Sequence, residues 1–315
     1  MLTFFIHGIN TQNSGYANKL IENINRELLK SNTGAATSFY ASFWGNLFNN
    51  KKNKIIGYIE KDFSRACNLH PKYTPRSDIY RYQKQRKKFI NNFLGDFLIY
   101  QNIERGNVIR KTIYEQFKQY TEDHPKQKEI HFVTHSLGSI ILWDLLFSNS
   151  QDSWSPAFLF QKKLKDFDLI SISTMGSPLL FFKEMLDLDF HRIDSWLKLS
   201  KRPINTSSNA YKLRWVNIIH SSDLVAYPLK AAIEDEISSE ILFSDQYVWQ
   251  DANGAEATLH FMSGGQPDGA MIAAAEDAHS SYFQNNLDGR ITARIIAYNL
   301  LGETDKLLKR CVTPE

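Results

Sequence analysis

The sequence predicts an α/β fold, a mostly parallel sheet flanked by helices, and three observations carry that prediction. Short apolar, β-prone runs recur along the chain, at 2–6, 36–43, 130–133, 168–174 and 211–219, each ending in a loop. Helical stretches with apolar residues at helical spacing separate several of them. The stretch EIHFVTHSLGSIILWDLL, 129–146, passes from strand through a sharp turn into a helix without a break.

That stretch organises the rest. Ile130, Phe132 and Val133 follow a charged, Pro-containing loop and read as a strand. Ile140, Ile141, Leu142, Leu145 and Leu146 supply the broad apolar face of a helix. Between them lies Thr134-His135-Ser136-Leu137-Gly138. This is the context of a nucleophile elbow, in which the turn lifts the Ser136 hydroxyl out of the sheet's carboxyl edge. The helix behind it aims unpaired N–H groups and its positive dipole end at the same place. Gly138 leaves room for the strand and helix to cross closely.

These residues resemble the G-x-S-x-G motif of the α/β-hydrolases, with Thr134 in place of the first glycine. The resemblance implies an α/β-hydrolase fold. Its usual first two strands are missing here, so the sheet is shortened at the N-terminus. In the family, an HG dipeptide after the first core strand lines the oxyanion hole. Here it matches His7-Gly8, which nominates the backbone N–H groups of Ile9 and Leu137 as donors.

Composition bounds the rest. A chain of 315 residues, 43% of them hydrophobic, buries a sizeable core; one large α/β domain with an insertion fits, as would two small domains, and the resemblance implies a single α/β-hydrolase domain over 1–315. The net charge of +3 is too weak to argue for nucleic-acid binding. Cys67 and Cys311 show neither disulfide nor metal spacing. No apolar run is long enough to span a bilayer, and Met1–Ile6 has no basic leader. The expectation is a cytoplasmic protein, with leaderless export left open.

Residues 46–128 are long, polar and charged where the family needs only a helix, and are read as a helical insertion or lid. NNKKNK at 49–54 reads as a solvated turn. Arg76, Arg81, Lys84, Arg86, Lys87 and Lys88 form a basic cluster. Phe89, Phe93 and Phe97, with Ile90, Leu94 and Leu98, repeat at helical spacing. One reading is an amphipathic helix packed on the sheet with a solvated basic face. The sharper one is peripheral contact of the 76–88 cluster with an anionic membrane. A further helix is expected over 108–120.

After the elbow helix, Met175-Gly176-Ser177-Pro178 ends a strand at the carboxyl edge, where ligands bind in open parallel sheets. A polar excursion over 186–208 could cover that edge, and a helix is expected over about 14–30. The runs 241–249 and 257–262, with Asn253-Gly254 between them, suggest a hairpin. Asp288 reads as the cap of a closing helix over 289–301.

A serine hydroxyl needs a base, and the base an orienting acid. Family chain order is Ser, acid, His. Asp223 follows a strand in a polar loop and is the acid of choice; Asp168 begins a strand and is weaker. His279 lies in a loop before the closing helix and is the base of choice. His260 in ATLHFM lies inside a strand, and His220 and His191 precede Asp223. His131 and His135 are four apart on a strand, without the helical geometry of a zinc motif, so no metal is expected.

THSLGSIILWDLL, MGSPLLFF and HSSDLVAYPL together resemble the catalytic core of DDHD-type phospholipases, of serine esterases and lipases, and of lipid-anchor inositol deacylases. That resemblance implies ester hydrolysis through an acyl-enzyme with Ser136, His279 and Asp223, without a cofactor, on a lipid or other small acyl ester. A thioesterase or amidase would use the same triad. A binding protein on a degenerate hydrolase scaffold is the reading from another class.

Overall fold

In the computed structural model, residues 1–31, 37–69, 95–148, 152–197, 211–248 and 278–310 are described. Six parallel strands form one sheet in the order β2-β1-β3-β4-β5-β6. They are β1 (Leu2–Ile6), β2 (Ser38–Ser42), β3 (Glu129–His135), β4 (Asp168–Met175), β5 (Leu213–His220) and β6 (Ile241–Val248). The sheet is therefore wholly parallel, and its carboxyl ends all lie along one edge.

Both faces are covered, which is why the central strands read as nearly continuous apolar runs. Leu2, Phe4, Ile6, Ile130, Phe132, Ile172, Trp215 and Phe243 point to one side. They meet α4 (Ile103–Glu122), α5 (Leu137–Phe147) and α6 (Pro156–Leu164) there. Phe5, Val133, Met175, Val216 and Ile218 point to the other. That side is closed by α1 (Asn18–Lys30) through Leu20 and Ile24, and by α10 (Leu287–Leu301) through Ala293, Ile295, Ile296 and Leu300. The period-2 alternation of a strand distributes neighbouring residues between the two cores.

Helix α4 forms because Ile109, Ile113, Phe117 and Tyr120 recur on one stripe and Asn102 caps its start, accepting from the Arg105 N–H. Its stripe packs on Phe4 and Phe132, with Phe117 and Phe4 edge to face at 5.4 Å. Helix α5 is buried almost all round; the exception is Asp144, which takes the Tyr100 hydroxyl and pairs with Arg110 at 3.2 Å. The expected broad apolar face is thus part of a helix enclosed almost all round, because α6 covers its outer flank.

Several boundaries differ from the sequence reading. Residues 49–54 are not a turn: they open α2 (Asn49–Leu69), a helix whose described lysines face water. Between α2 and α4 lies α3 (Gly95–Gln101). Phe97 on α3 packs edge to face with Phe182, while Leu98 is exposed. The basic cluster at 76–88, with Phe89, Ile90, Phe93 and Leu94, lies outside the described residues. The cap of α10 is Asn286, which accepts from the Gly289 N–H, not Asp288; Asp288 sits in the first turn and faces His220 at 3.5 Å. Within 186–208, α8 (His191–Leu197) packs inward, and Phe190 just before it lies against Trp143 at 4.3 Å. The 257–262 run and the Asn253-Gly254 turn lie outside the described residues, and β6 pairs with β5 in parallel. Among the described residues, no helix is long and apolar enough to cross a membrane.

The end of β1 and the start of α5 cross closely at Gly138. A Cβ there would stand 2.3 Å from the Ile6 carbonyl oxygen and 2.9 Å from that of His7. Gly138→Ala should therefore destabilise the fold by about 1–3 kcal/mol, since only backbone movement makes room. At Gly57 in α2 an added Cβ would meet nothing within 4 Å, so Gly57→Ala should stabilise by about 0.5–1 kcal/mol. Urea unfolding of both variants checks the contrast; equal effects would contradict the crossing.

Candidate active site at the carboxyl edge of the sheet

Four loops meet where β1, β3, β4 and β5 end. The first is His7-Gly8-Ile9-Asn10. The His7 ring is fully buried and stacks on Trp44 with 5.0 Å between ring centres. Its Nδ1–H donates to the Gly8 carbonyl at 2.7 Å, so its Nε2 accepts the Trp44 N–H at 3.0 Å. The Trp44 indole N–H in turn donates to the His7 carbonyl. Asn10, in the left-handed region at φ 57, donates its N–H to buried Asp96 of α3. The loop is thereby fixed from both sides.

Gly8 presses directly on the second loop. A Cβ at Gly8 would lie 2.4 Å from the Ser136 Cβ and 3.0 Å from the Leu137 nitrogen. Ser136 itself caps α5 at φ 53, ψ −130, a conformation disfavoured for a residue with a Cβ. Its N–H donates to the Met175 carbonyl. Thr134, where the motif would have glycine, is accommodated: it is fully buried, paired beside Ile6, with its hydroxyl 3.0 Å from that of Ser139.

The third loop turns at Gly176, φ 55, whose absent side chain would meet the Asp223 carboxylate at 2.9 Å and the His279 ring at 3.1 Å. The fourth carries Asp223. Asp245 on β6 braces this loop, accepting the N–H groups of Leu229 and Lys230 and the Asn217 amide. Asn217 also donates to the Tyr227 carbonyl and accepts from Thr174.

Asp223 and His279 are hydrogen-bonded, Nδ1 to the two carboxylate oxygens at 3.0 and 2.9 Å. Since an ionised carboxylate only accepts, Nδ1 carries the proton. Nε2 is then the lone-pair nitrogen; it is buried and has no hydrogen-bond partner among the described residues. Burial pushes the Asp223 carboxyl upward. The bond and charge of His279, the Val225 N–H and the Tyr282 hydroxyl outweigh it and hold the group below its ordinary value.

Of the residues singled out in the sequence, Ser136, Asp223 and His279 come together at this edge, with Ile9 and Leu137 beside Ser136 in the wall of one cavity. His279 lies in a helical turn, 278–281, where the sequence suggested a loop. Asp168 begins β4 beside Glu129, at the opposite end of the strands. His191 is exposed beside Asp189, His220 accepts the Ser222 N–H, and His260 lies outside the described residues. His131 bonds Ser171 within the sheet. Asp189, His191 and Glu236 bring potential metal-ligand atoms within 4.8 Å of one another, but Asp189 and His191 are exposed and Lys183 already engages Glu236.

Two residues at the site escape a reading of the sequence. His135, next to Ser136, donates Nε2–H to the His279 carbonyl at 2.7 Å, and its ring lies 4.6 Å from that of His279. Tyr282 donates to Asp223. The available signals are a histidine adjoining Ser136 and a tyrosine three residues past His279.

The cavity at this edge has a volume of about 350 Å³. Its walls are Ile9, Phe97, Pro178, Phe181, Phe182, Leu224 and Val225, with Ser136 and Leu137 at one side. Apart from Ser136 every lining side chain is apolar. A scan against protein-family models finds no match, and a search of the curated proteins finds none either.

Buried neutral histidines make the site acid-sensitive. Burial pushes His7 down to about 4 and, with the neighbouring His279, pushes His135 down to about 3. Both titrate near 6.5 when unfolded. Their neutrality therefore stabilises the fold above pH 6.5, and that contribution drains as pH falls from 6.5 toward 4. Each should add a slope of about 1.4 kcal/mol per pH unit in this window. Asp223, depressed in the fold, loses its contribution only below about pH 4. Urea unfolding at stepped pH should show the loss, and His135→Gln should remove about half of it. A flat profile between pH 6.5 and 4.5 would contradict the burial of neutral imidazoles.

Proposed function

We propose that this chain is a serine hydrolase of the α/β-hydrolase type that cleaves carboxylic esters with an apolar acyl group. The observation that carries the proposal is the hydrogen-bonded pair of half-buried His279 and buried Asp223, its Nε2 lone pair without a partner among the described residues, at the edge that holds Ser136 at a strained positive φ. The sheet order and the strand–Ser–helix corner support the same reading.

The chemistry runs in two halves. Ser136 Oγ attacks the ester carbonyl carbon while its proton passes to His279 Nε2. The negative charge that develops on the carbonyl oxygen is received by the N–H groups of Ile9 and Leu137. Ile9 and Leu137 line the same cavity as Ser136, and at an N-terminus such as that of α5 the Leu137 N–H has no partner within its helix. The carbon–oxygen bond to the alcohol then breaks, and His279 returns its proton to the departing oxygen. Water then attacks the acyl-enzyme carbonyl as its proton passes to Nε2; the bond to Ser136 Oγ breaks, Nε2 returns the proton to Oγ, and the acid leaves. Asp223, kept ionised, stabilises the imidazolium formed in each half. The apolar cavity beside Ser136 supports an acyl chain as the part of the substrate that is held.

Ser136→Ala should lower the hydrolysis of p-nitrophenyl esters by more than about 10³-fold, and His279→Ala or Asp223→Asn should add little to it. A fluorophosphonate probe should label the wild type and not Ser136→Ala; an unlabelled wild type would favour a binding protein on this scaffold. Thioester and amide substrates in the same assay separate the thioesterase and amidase alternatives.

The cavity makes its own prediction. Each methylene it buries is worth about 0.8 kcal/mol, so kcat/KM should climb about fourfold per added carbon over short acyl chains and level off once the cavity is filled. A flat series with a reactive Ser136 would remove the apolar acyl group and leave the nucleophile standing.

A further inference from the structure

We propose that Tyr282 is a positioning residue of this reaction, a fixed donor that sets how strongly Asp223 holds the His279 imidazole. The inference rests on the Ser136–His279–Asp223 reading above. Tyr282 is completely buried. Its hydroxyl accepts the His220 N–H at 2.9 Å and donates to Asp223 Oδ2, also at 2.9 Å. With one lone pair occupied by His220, the hydroxyl hydrogen is committed to the carboxylate. His279 and Tyr282 lie three residues apart, so one short segment grips the same oxygen twice, through Nδ1–H and through O–H.

The chemical consequence follows from charge sharing. A carboxylate whose charge is spread over more donors holds an adjacent imidazolium less strongly. Val225 N–H is the third donor to Asp223, on the other oxygen. Burial pushes the tyrosine hydroxyl well above its ordinary range, so it stays protonated and carries no proton through the cycle. Other titratable groups face His279 from each neighbouring element among the described residues. His135 approaches from the end of β3, with His7 behind it. Asp223 approaches from the loop after β5. His220 adjoins Tyr282 and pairs with Asp288 of α10. Of these, Asp223 alone bonds the imidazole Nδ1, and Tyr282 acts on the imidazole through it.

An aromatic ring that merely fills space would show the same burial, so the test must read the donor. Tyr282→Phe and 3-fluorotyrosine at position 282 would be made in the full chain. The pH dependence of kcat/KM and kcat on p-nitrophenyl butyrate, and the rate of fluorophosphonate labelling, would be measured for each. Loss of the donor should move the acid limb of both profiles upward by about half a pH unit. KM should stay nearly unchanged, because Tyr282 acts on the imidazole and not on the substrate. Fluorotyrosine, a stronger donor of almost the same size, should move the acid limb downward. Should the Phe variant fail to fold, the fluorotyrosine shift decides. Acid limbs that coincide with the wild type in every folded variant would reduce Tyr282 to packing. That outcome differs from failure of the underlying reading, in which the wild type does not label or Ser136→Ala keeps full activity; both would then fall together.

Discussion

The contact on which the rest depends is the near-collision of the end of β1 with the start of α5. Backbone passes backbone at Gly138, and Gly8 lies against the Cβ of Ser136. Neither residue can carry a side chain without displacing main chain. This crossing sets the depth of α5 against the sheet and the angle at which Ser136 leaves β3. It also sets the distance from the Ile9 loop to the Leu137 amide. His7 secures the crossing from behind through its bonds to Gly8 and Trp44. A residue held at φ 53 persists only where surroundings over-determine it, and here they do so on every side.

Much of this is legible in the chain because the signals are local. The strand–turn–helix passage around Ser136 needs only neighbouring residues, and the strands announce themselves by apolar, β-branched runs. Asp223 and His279 are picked out by the chain order that the hydrolase resemblance implies, and they are hydrogen-bonded to each other. What stays hidden depends on distant parts of the sequence. Tyr282 meets Asp223 across 59 positions and His135 meets His279 across 144, and no local pattern marks either pair. The sequence points to Asp288 as the cap of α10 because Asn286 and Asp288 are both capping types, and only geometry tells which side chain reaches Gly289. Residues 49–54 mislead for another reason: a polar run suits an exposed helix as well as a turn. The near-complete enclosure of α5 is invisible locally because the covering helix lies later in the chain.

The electrostatic character of the site is a contrast of neighbours. His7 and His135 are kept neutral by burial, while Asp223 stays charged despite it, because its donors converge on it. His279 lies between these environments, bonded to the charged group through Nδ1 and to neutral His135 through its carbonyl. The two histidines divide the work: one ring is fixed as a scaffold, and the other keeps a nitrogen available.

Arg214, buried in β5, adds a constraint in time. Its guanidinium donates to the carbonyls of Asn299 and Leu300 at the end of α10, where the helix dipole favours a cation. Asn299 reaches back to Ile172 and Ser173 of β4. A ribosome-bound chain that has emerged only through β6 has Arg214 without these partners and, on that face of the sheet, α1 without α10 beside it. The bonds that tie β4 and β5 to α10 can therefore form only after Asn299 has been made, 85 residues further along the chain than Arg214.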